Sequence, residues 1–489
     1  MAENKRVLSF HSGAVPEDTL LVSRMEGAEE ISHPYRFEVE LRSRKADFDF
    51  AEALRQPAFL GIKKGVKLKG EGGQGTQTLK IHGMLSLFRQ EAKAKDWVTY
   101  RAVLVPRLWK LSLTVQSRVF LEKDIREIAG EVLKGAGFTT KDYEFKTSGR
   151  HPKREFVVQY QESDLAFLSR WLEHEGIFYF FEQTDEGEKL VFGDSPSAHT
   201  PIAGDPNVPY RPAASEGTRV QGGEAQDWYK EEVVQSLAAE QSVIPAEVVL
   251  KDYNWRKPSE DLKVSAEVIA GGVGSVFNYA DHFKDKDEGK ALAKVRAEEI
   301  RCRQKLFTGA GDCRAFRAGA TYTLADHYRT DFNASYLLVR VRHEASQALG
   351  FPDSAASGAT YRNEFTGIPA DVPFRPERAT EWPSIHGVMN AKVDAAGSGQ
   401  YAEIDDQGRY KVKLPFDLSD RKDGKGSRYL RMAQPYSGAG MGMHFPLHKG
   451  TEVLLAFVDG DVDRPIIAAS IPNAETGGPV SGGNQTQCK

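Results

Sequence analysis

Apolar and polar positions alternate along much of the first hundred residues, as in Tyr35 to Leu41 (Tyr-Arg-Phe-Glu-Val-Glu-Leu) and Tyr100 to Val105, the period of a half-buried strand. Such a pattern from Arg6 to about Val105, broken by glycine-rich turns at Gly70 to Gly75, predicts a barrel or sandwich. The period then changes. Asp124 and Glu127 have the spacing of a capping box, and Ile125, Ile128, Ala129, Val132 and Leu133 recur at helical intervals before Gly135 ends the run. A second helix is capped by Ser163, carries Leu165, Leu168, Trp171 and Leu172 on one face and stops at Gly176. The aromatic run Ile177 to Phe181 that follows reads as a strand buried on both sides.

Pro196, Pro201, Pro206, Pro209 and Pro212 deny regular structure between Gly193 and Gly217, so the chain crosses a surface or passes between domains there. Strands are predicted again at Glu231 to Ser236, Val248 to Tyr253, Thr321 to Leu324 and Tyr336 to His343, with a charged helix from Glu288 to Arg303 among them. Prolines at 369, 373, 376 and 383 predict an extended interdomain linker over 369–383. Beyond it stand strand candidates at Ile385 to Val393, Arg409 to Phe416, Tyr429 to Gln434, Thr451 to Val458 and Pro465 to Ile471. In the second, Tyr410, Val412 and Leu414 oppose Lys411 and Lys413. Five short strands with long early loops fit an OB-like barrel. Its closing hairpin places Gly460 where a positive φ is needed, and Asp459, Asp461 and Asp463 read as keeping an exposed turn, Asp459 to Arg464, in water. No repeat recurs at a fixed period.

At 489 residues the chain is too long for one core, which predicts roughly two to four domains. A net charge of -4 leaves no basic field for phosphate, and between Ser384 and Asn473 eleven basic residues meet eleven acidic ones, which argues against nucleic acid as a partner. The amino terminus lacks the apolar stretch of a signal peptide, and nowhere do about 18 apolar residues run together, so the chain reads as made in the cytoplasm. Cys302, Cys313 and Cys488 cannot form a framework, and reduced thiols are expected in preference to a Cys302–Cys313 disulfide.

The chemistry of an enzyme is hard to find. His343 and Glu344 open like a zinc-protease helix, but Gln347 stands where the second imidazole is required, so a polar pair within a strand is expected. His444 and His448 flank Pro446 in a loop-like stretch that supplies no further ligands. Gly438, Gly440 and Gly442 lack the helix and lysine of a phosphate loop. Asp405, Asp406 and the three hairpin aspartates sit in turns, where carboxylates solubilise rather than flank a cleft. No catalytic, cofactor-binding or metal-binding residue is predicted; a hydrolase or toxin is the alternative of another class.

Several separate segments carry a resemblance. Tyr160 to Ser163 (Tyr-Gln-Glu-Ser) precedes a helix, and Glu175 and Gly176 open an aromatic strand reaching Phe180. Asp287 to Glu299, Val341 to Ala345, Tyr361 to Phe365, Asp405 to Asp417 and Arg428 to Gly442 add to these, as does the hairpin with Gly460, Asp461, Asp463, Arg464 and Pro465. With these segments the sequence resembles, over essentially its whole length, the VgrG spike proteins of type VI secretion systems, in which a phage-hub-like region is fused to an OB-like needle base. The structural motif residues so implied are Tyr160, Glu162, Ser163, Glu175, Gly176, Gly460, Asp461, Asp463, Arg464 and Pro465.

The resemblance implies an α+β, strand-dominated hub over 1–368. Within it, one barrel covers about 5–110, a helix-containing domain about 111–215 and 251–305, and a second barrel about 216–250 and 306–366. The linker 369–383, an OB-like domain over 384–473 and a needle start or disordered tail over 474–489 follow. It further implies no enzyme and no cofactor, a homotrimer docked on the hexameric Hcp tube, and a PAAR-type tip protein and effectors reached through a needle. Transient contact with target membranes and secretion from the baseplate complete the picture. A spike of an extracellular contractile injection system or phage-like tail would share the fold. Two departures stand out. Leu414-Pro415-Phe416-Asp417 replaces the usual aromatic-His-Trp ending, with Tyr429 and Tyr436 in place of tryptophans, and Asn484 to Lys489 resembles a needle entry with no repeats after it, as in a chain cut short.

Overall fold

The computed structural model describes residues 6–67, 74–212, 231–348 and 359–486; the glycine turn at 70–73, residues 213–217 of the proline crossing and Cys488 lie outside them. The chain forms two compact units. One comprises Met1–Trp109, Gly137–Arg150 and Leu172–Arg378, the other Lys110–Ala136, His151–Trp171 and Ala379–Lys489.

The first unit is built on a 13-stranded sheet. Its path runs Leu8–Ser12, Pro57–Lys67, Gln74–Ala94, Trp97–Val105, Arg36–Ser43, Leu21–Glu30, Ser335–Gln347, Ala359–Pro369, Lys305–Gly311 and Val234–Gln241. Alternation sets the register: Phe37, Val39 and Leu41 are buried while Arg36 is exposed, and Phe37 pairs with Leu104. The two barrel regions are not separate sheets. Leu21–Glu30 pairs antiparallel with Ser335–Gln347, from Arg24 opposite Ser346 to Glu30 opposite Arg340, so one sheet passes continuously from one to the other. Each region keeps its own core, one around Phe37, Val39, Leu60 and Tyr100, the other around Phe307, Phe316, Tyr322 and Phe365.

The aromatic strand expected after Gly176 is Phe178–Gln183, with Phe178, Tyr179 and Phe180 buried as predicted. The charged helix is Lys286–Arg301, two residues earlier than its periodicity suggested, because Asp285 caps it by accepting from the Asp287 and Glu288 amides. It packs on a three-stranded sheet of Leu262–Glu267, Glu247–Asp252 and Ser275–Tyr279, burying Val248, Leu250, Leu292 and Ala293.

In the second unit Val388–Val393 pairs with Glu452–Phe457, which pairs with Pro465–Ile471. A parallel bridge from Ile467 to Met432, an antiparallel one from Leu430 to Tyr410, and the Val412–Lys413 ladder back to Val388–Val393 close the ring. This is the OB-like barrel, with its second and third strands shorter than predicted. Only Val412–Lys413 is ladder-paired, and Tyr429 to Gln434 joins by single bridges. One reason is that the Val412 amide donates to the Ser427 hydroxyl instead of to a neighbouring strand. Val119, Phe156 and Val158 share this barrel's core with Val412, Val453, Leu455 and Ile467. The helix Ile125–Gly135 carries the predicted capping box and buries all five predicted apolar residues. Gly135 is still helical, and the left-handed glycine is Gly137.

The closing hairpin corrects one expectation. Gly460 does have a positive φ, as does Asp459, which is exposed. The rest of the turn is not in water: Val462 and Asp463 are buried, because the Asp463 carboxylate accepts the Val158 amide at 2.6 Å. The turn is an anchor.

Candidate functional site

The motif residues fall into two groups, both held by charge. In the second unit, Tyr160 packs on Phe416 at 5.5 Å and Ser163 caps the helix Asp164–Glu175 by accepting the Ala166 amide at 3.1 Å. The Glu162 carboxylate grips the Arg170 guanidinium, with contacts at 2.9 and 2.7 Å. Arg170 is wholly buried, donates to the Val158 carbonyl at 2.8 Å, and lies 4.5 Å from the Trp382 ring centroid. In the hairpin, Asp461 accepts the Asp463 amide and pairs with Arg464 at 3.1 Å. Pro465 opens the last strand opposite Phe457. A Cβ on Gly460 would stand 2.3 Å from the Ser384 hydroxyl. These side chains end on backbone or on opposite charge and fasten chain segments together.

Glu175 and Gly176 belong to a denser node in the first unit. Asp281 is its centre: Arg296 donates to it at 3.2 Å and Arg378 at 3.2 Å, while His174 lies 3.0 Å from its carbonyl oxygen. Arg296 also donates to the His174 carbonyl at 2.8 Å and lies 3.5 Å from Glu299. Arg375 pairs with Glu298 at 2.8 Å and donates to the Gly176 carbonyl at 2.8 Å. Burial alone would raise the Asp281 carboxyl, but Arg296, His174 and Arg378 outweigh it and hold it at about 2. Ala280 and His282, on either side of Asp281, are both left-handed, at φ 63° and 61°. That backbone cost persists because the charges fix the turn. The proline-rich stretch is accordingly tied down: Phe374 is buried and Arg375 and Arg378 are its anchors.

Gly176 has φ +70°, and a Cβ there would stand 2.4 Å from Val295 Cγ1. Gly176→Ala is expected to cost about 2 kcal/mol, measured by urea unfolding, from the left-handed backbone and the displaced valine together.

A third cluster holds the residues first weighed as a zinc motif. Gln347 is buried and closes the seam of the first barrel region. Its amide oxygen accepts from the Val7 and Leu8 amides at 2.9 and 3.0 Å, and its nitrogen donates to the Leu8 and Val22 carbonyls at 2.9 and 2.7 Å. Burial lowers the His343 imidazole below its usual value, so it is neutral, and its Nδ1 lies 2.8 Å from the Tyr361 hydroxyl. Its Nε2 lies 3.1 Å from the Glu29 carboxyl group. His444 and His448 do not act together: the first stacks on Tyr410, the second packs on Tyr401. Cys302 and Cys313 are free and buried, and burial pushes the Cys313 thiol up to about 12.

Sequence reasoning missed Asp281, Arg375 and Arg378, and read Gln347 only as an absent ligand. One signal was available: Arg296 interrupts the apolar face formed by Leu292, Ala293 and Ala297, so a buried acid was required.

The second unit also exposes an apolar arm. Tyr436, Met441, Met443 and Phe445 are all exposed along ten residues around the hairpin Ser437–Gly438 and Met441–Gly442.

Residues 28–349 match the phage tail baseplate hub (GPD) family, and residues 401–471 the type VI secretion system/phage-baseplate injector OB domain. The type VI secretion system spike protein VgrG1c of Pseudomonas aeruginosa is 30% identical over 477 residues, which is 97% of this chain and 62% of that protein. VgrG1a of the same organism is 29% identical, covering 94% of this chain and 68% of that one. For VgrG3 of Vibrio cholerae the figures are 29%, 95% and 44%, so the chain spans less than half of that relative. A solved Escherichia coli component of the type VI secretion system, with structural similarity to T4 bacteriophage tail proteins, superposes with a TM-score of 0.66 at 22% identity over 94% of this chain and 99% of that one. A chain of the lidded Francisella PdpA–VgrG complex gives 0.59 at 11% identity over 96% and 71%. At those identities the likeness is one of fold.

Proposed function

Because this chain belongs to the phage tail baseplate hub family and is a homologue of the VgrG spike proteins, we propose that it is a structural spike component of a type VI secretion system, built to carry load and not to turn over a substrate. The observation that carries this reading is where the motif side chains end. Glu162, Asp461, Asp463 and the Asp281 node are consumed in holding backbone and opposite charges, which stiffens joints and leaves none of them to act on a substrate.

In this proposal the first 368 residues are the hub and 384–473 the needle base. Three chains assemble about a threefold axis, and two barrel regions per chain present six similar contact sets to a hexameric Hcp tube, so no contact is left unmatched. The two cores on one sheet support that arrangement. A needle beyond residue 473 would carry a PAAR-type tip and effectors, and sheath contraction would drive the assembly through a target membrane and out of the cell.

The exposed arm supports a second copy as its cover, since solvated aromatics and methionines at this density mark an interface. The expected assembly is a homotrimer burying more than about 2,000 Å² per pair. Light scattering at micromolar concentration tests this on the chain and on a Met441→Asp, Phe445→Asp double variant. A trimer reduced to a monomer with unchanged circular dichroism is the expected pair of results. A wild-type chain that is monomeric throughout overturns the assembly.

A further inference from the structure

The Ser275–Tyr279 strand, Ser-Val-Phe-Asn-Tyr, pairs on one side only, with Glu247–Asp252, and is an edge of its sheet among the described residues. Gly274 accepts from the Ala246 amide and Ala280 donates to the Lys251 carbonyl. Backbone groups alternate along a strand, so those of Ser275, Phe277 and Tyr279 point to the open side. Their side chains are also the solvated ones, Phe277 at 59% and Tyr279 at 55% exposure. Natural edges are blunted with lysine, proline or a bulge. This one carries no charge and no proline.

The solvated sheet face is ordered in rows. Ser275, Glu247 and Glu267 form an acidic row, Phe277, Val249 and Ser265 an apolar one, and Tyr279, Lys251 and Lys263 a basic one. Asp261 lies 3.6 Å from Lys251, which leaves that last row net positive. Charges of both signs in fixed order disfavour phosphate or an anionic surface and specify a partner with charges in the complementary order.

We propose that Ser275–Tyr279 is a docking edge for an extended segment of another protein, which adds antiparallel to the sheet with an acidic residue beside Tyr279, an apolar one beside Phe277 and a basic one beside Ser275. Backbone hydrogen bonds supply affinity and the three rows supply direction. A second copy paired about a twofold axis would supply the same complementary order, with Phe277 opposite Phe277, but that axis is foreign to the threefold assembly proposed above, so, resting on that reading, the occupant is a segment of another protein.

The test uses the full chain and two labelled peptides, Thr-Glu-Thr-Phe-Thr-Lys-Thr and its charge-exchanged form Thr-Lys-Thr-Phe-Thr-Glu-Thr, with fluorescence anisotropy and residue-resolved hydrogen exchange. The first peptide is expected to bind at least tenfold more tightly. It should slow exchange at Ser275, Phe277 and Tyr279 while leaving Val276 and Asn278 unchanged. Phe277→Pro removes an outward donor that serves no ladder bond, and is expected to abolish binding with circular dichroism unchanged; Phe277→Lys, which keeps the backbone donor, serves if proline disturbs the strand. Equal binding of both peptides, no slowing at the three amides, or slowing that rises with chain concentration in the absence of peptide each overturns the proposal, the last by assigning the edge to a second copy.

Discussion

Asp281→Asn is expected to lower the unfolding free energy by about 3 kcal/mol at neutral pH, because removing one partner of a buried charge pair strands the other. Arg296 is only 1% exposed and would keep Glu299, 3.5 Å away, as its remaining counter-charge. Urea titration read by circular dichroism and by tryptophan fluorescence measures the loss, and a change under about 1 kcal/mol would mean that Glu299 already neutralises the site. Acid supplies an independent reading. The Asp281 carboxyl is held at about 2, below its ordinary 3.8, so its contribution is fully present above pH of about 4 and is lost as pH falls toward 2. The difference in stability between wild type and variant should therefore be constant from about pH 7 to 5 and shrink below about pH 4. A difference that grows on acidification would place the linkage elsewhere.

Gln347→Leu preserves volume and removes four hydrogen bonds. Two amides and two carbonyls of Val7, Leu8 and Val22 lose their partner, and at roughly 1 to 3 kcal/mol for each unsatisfied buried group, partly relieved by water, the expected cost is about 4 kcal/mol. Hydrogen exchange locates it: the Val7 and Leu8 amides should accelerate while those of the Arg36–Ser43 strand do not. Gln347→Glu keeps an acceptor for those amides but has no donor for the carbonyls, so its loss should be intermediate. If exchange accelerates evenly over the whole sheet, the seam is not where the loss resides.

Much of the architecture was legible because it rests on short-range physics. The capping box at Asp124, the buried run Phe178 to Phe180 and the hairpin before Ile471 follow from spacing and side-chain type alone. The short second and third strands of the small barrel were not, because whether the Val412 amide serves a neighbour or the Ser427 hydroxyl depends on a fold already formed. Asp463 has the composition of a solvated turn, and only its proximity to the Val158 amide, 305 positions away, makes it a buried anchor. His343 and Gln347 sit on the apolar phase of their strand with Val341 and Ala345. That phase predicts burial, and buried polar groups need partners; alternation cannot say which. Asp281 was out of reach for the same reason, its arginines lying 15 and 97 positions along the chain.

The pairing of Leu21–Glu30 with Ser335–Gln347 joins strands about three hundred residues apart, as Arg340 with Glu30 at a separation of 310. It limits what recombination can do with such genes. Exchange of an amino-terminal segment between relatives would install one side of this seam without the other, and a register slip of one residue would turn each inward side chain outward. The solvated face of the sheet that carries Ser275–Tyr279 lies outside this pairing, and the register of that sheet is set among its own three strands. Diversity among homologues should therefore gather there, while the two distant strands change together.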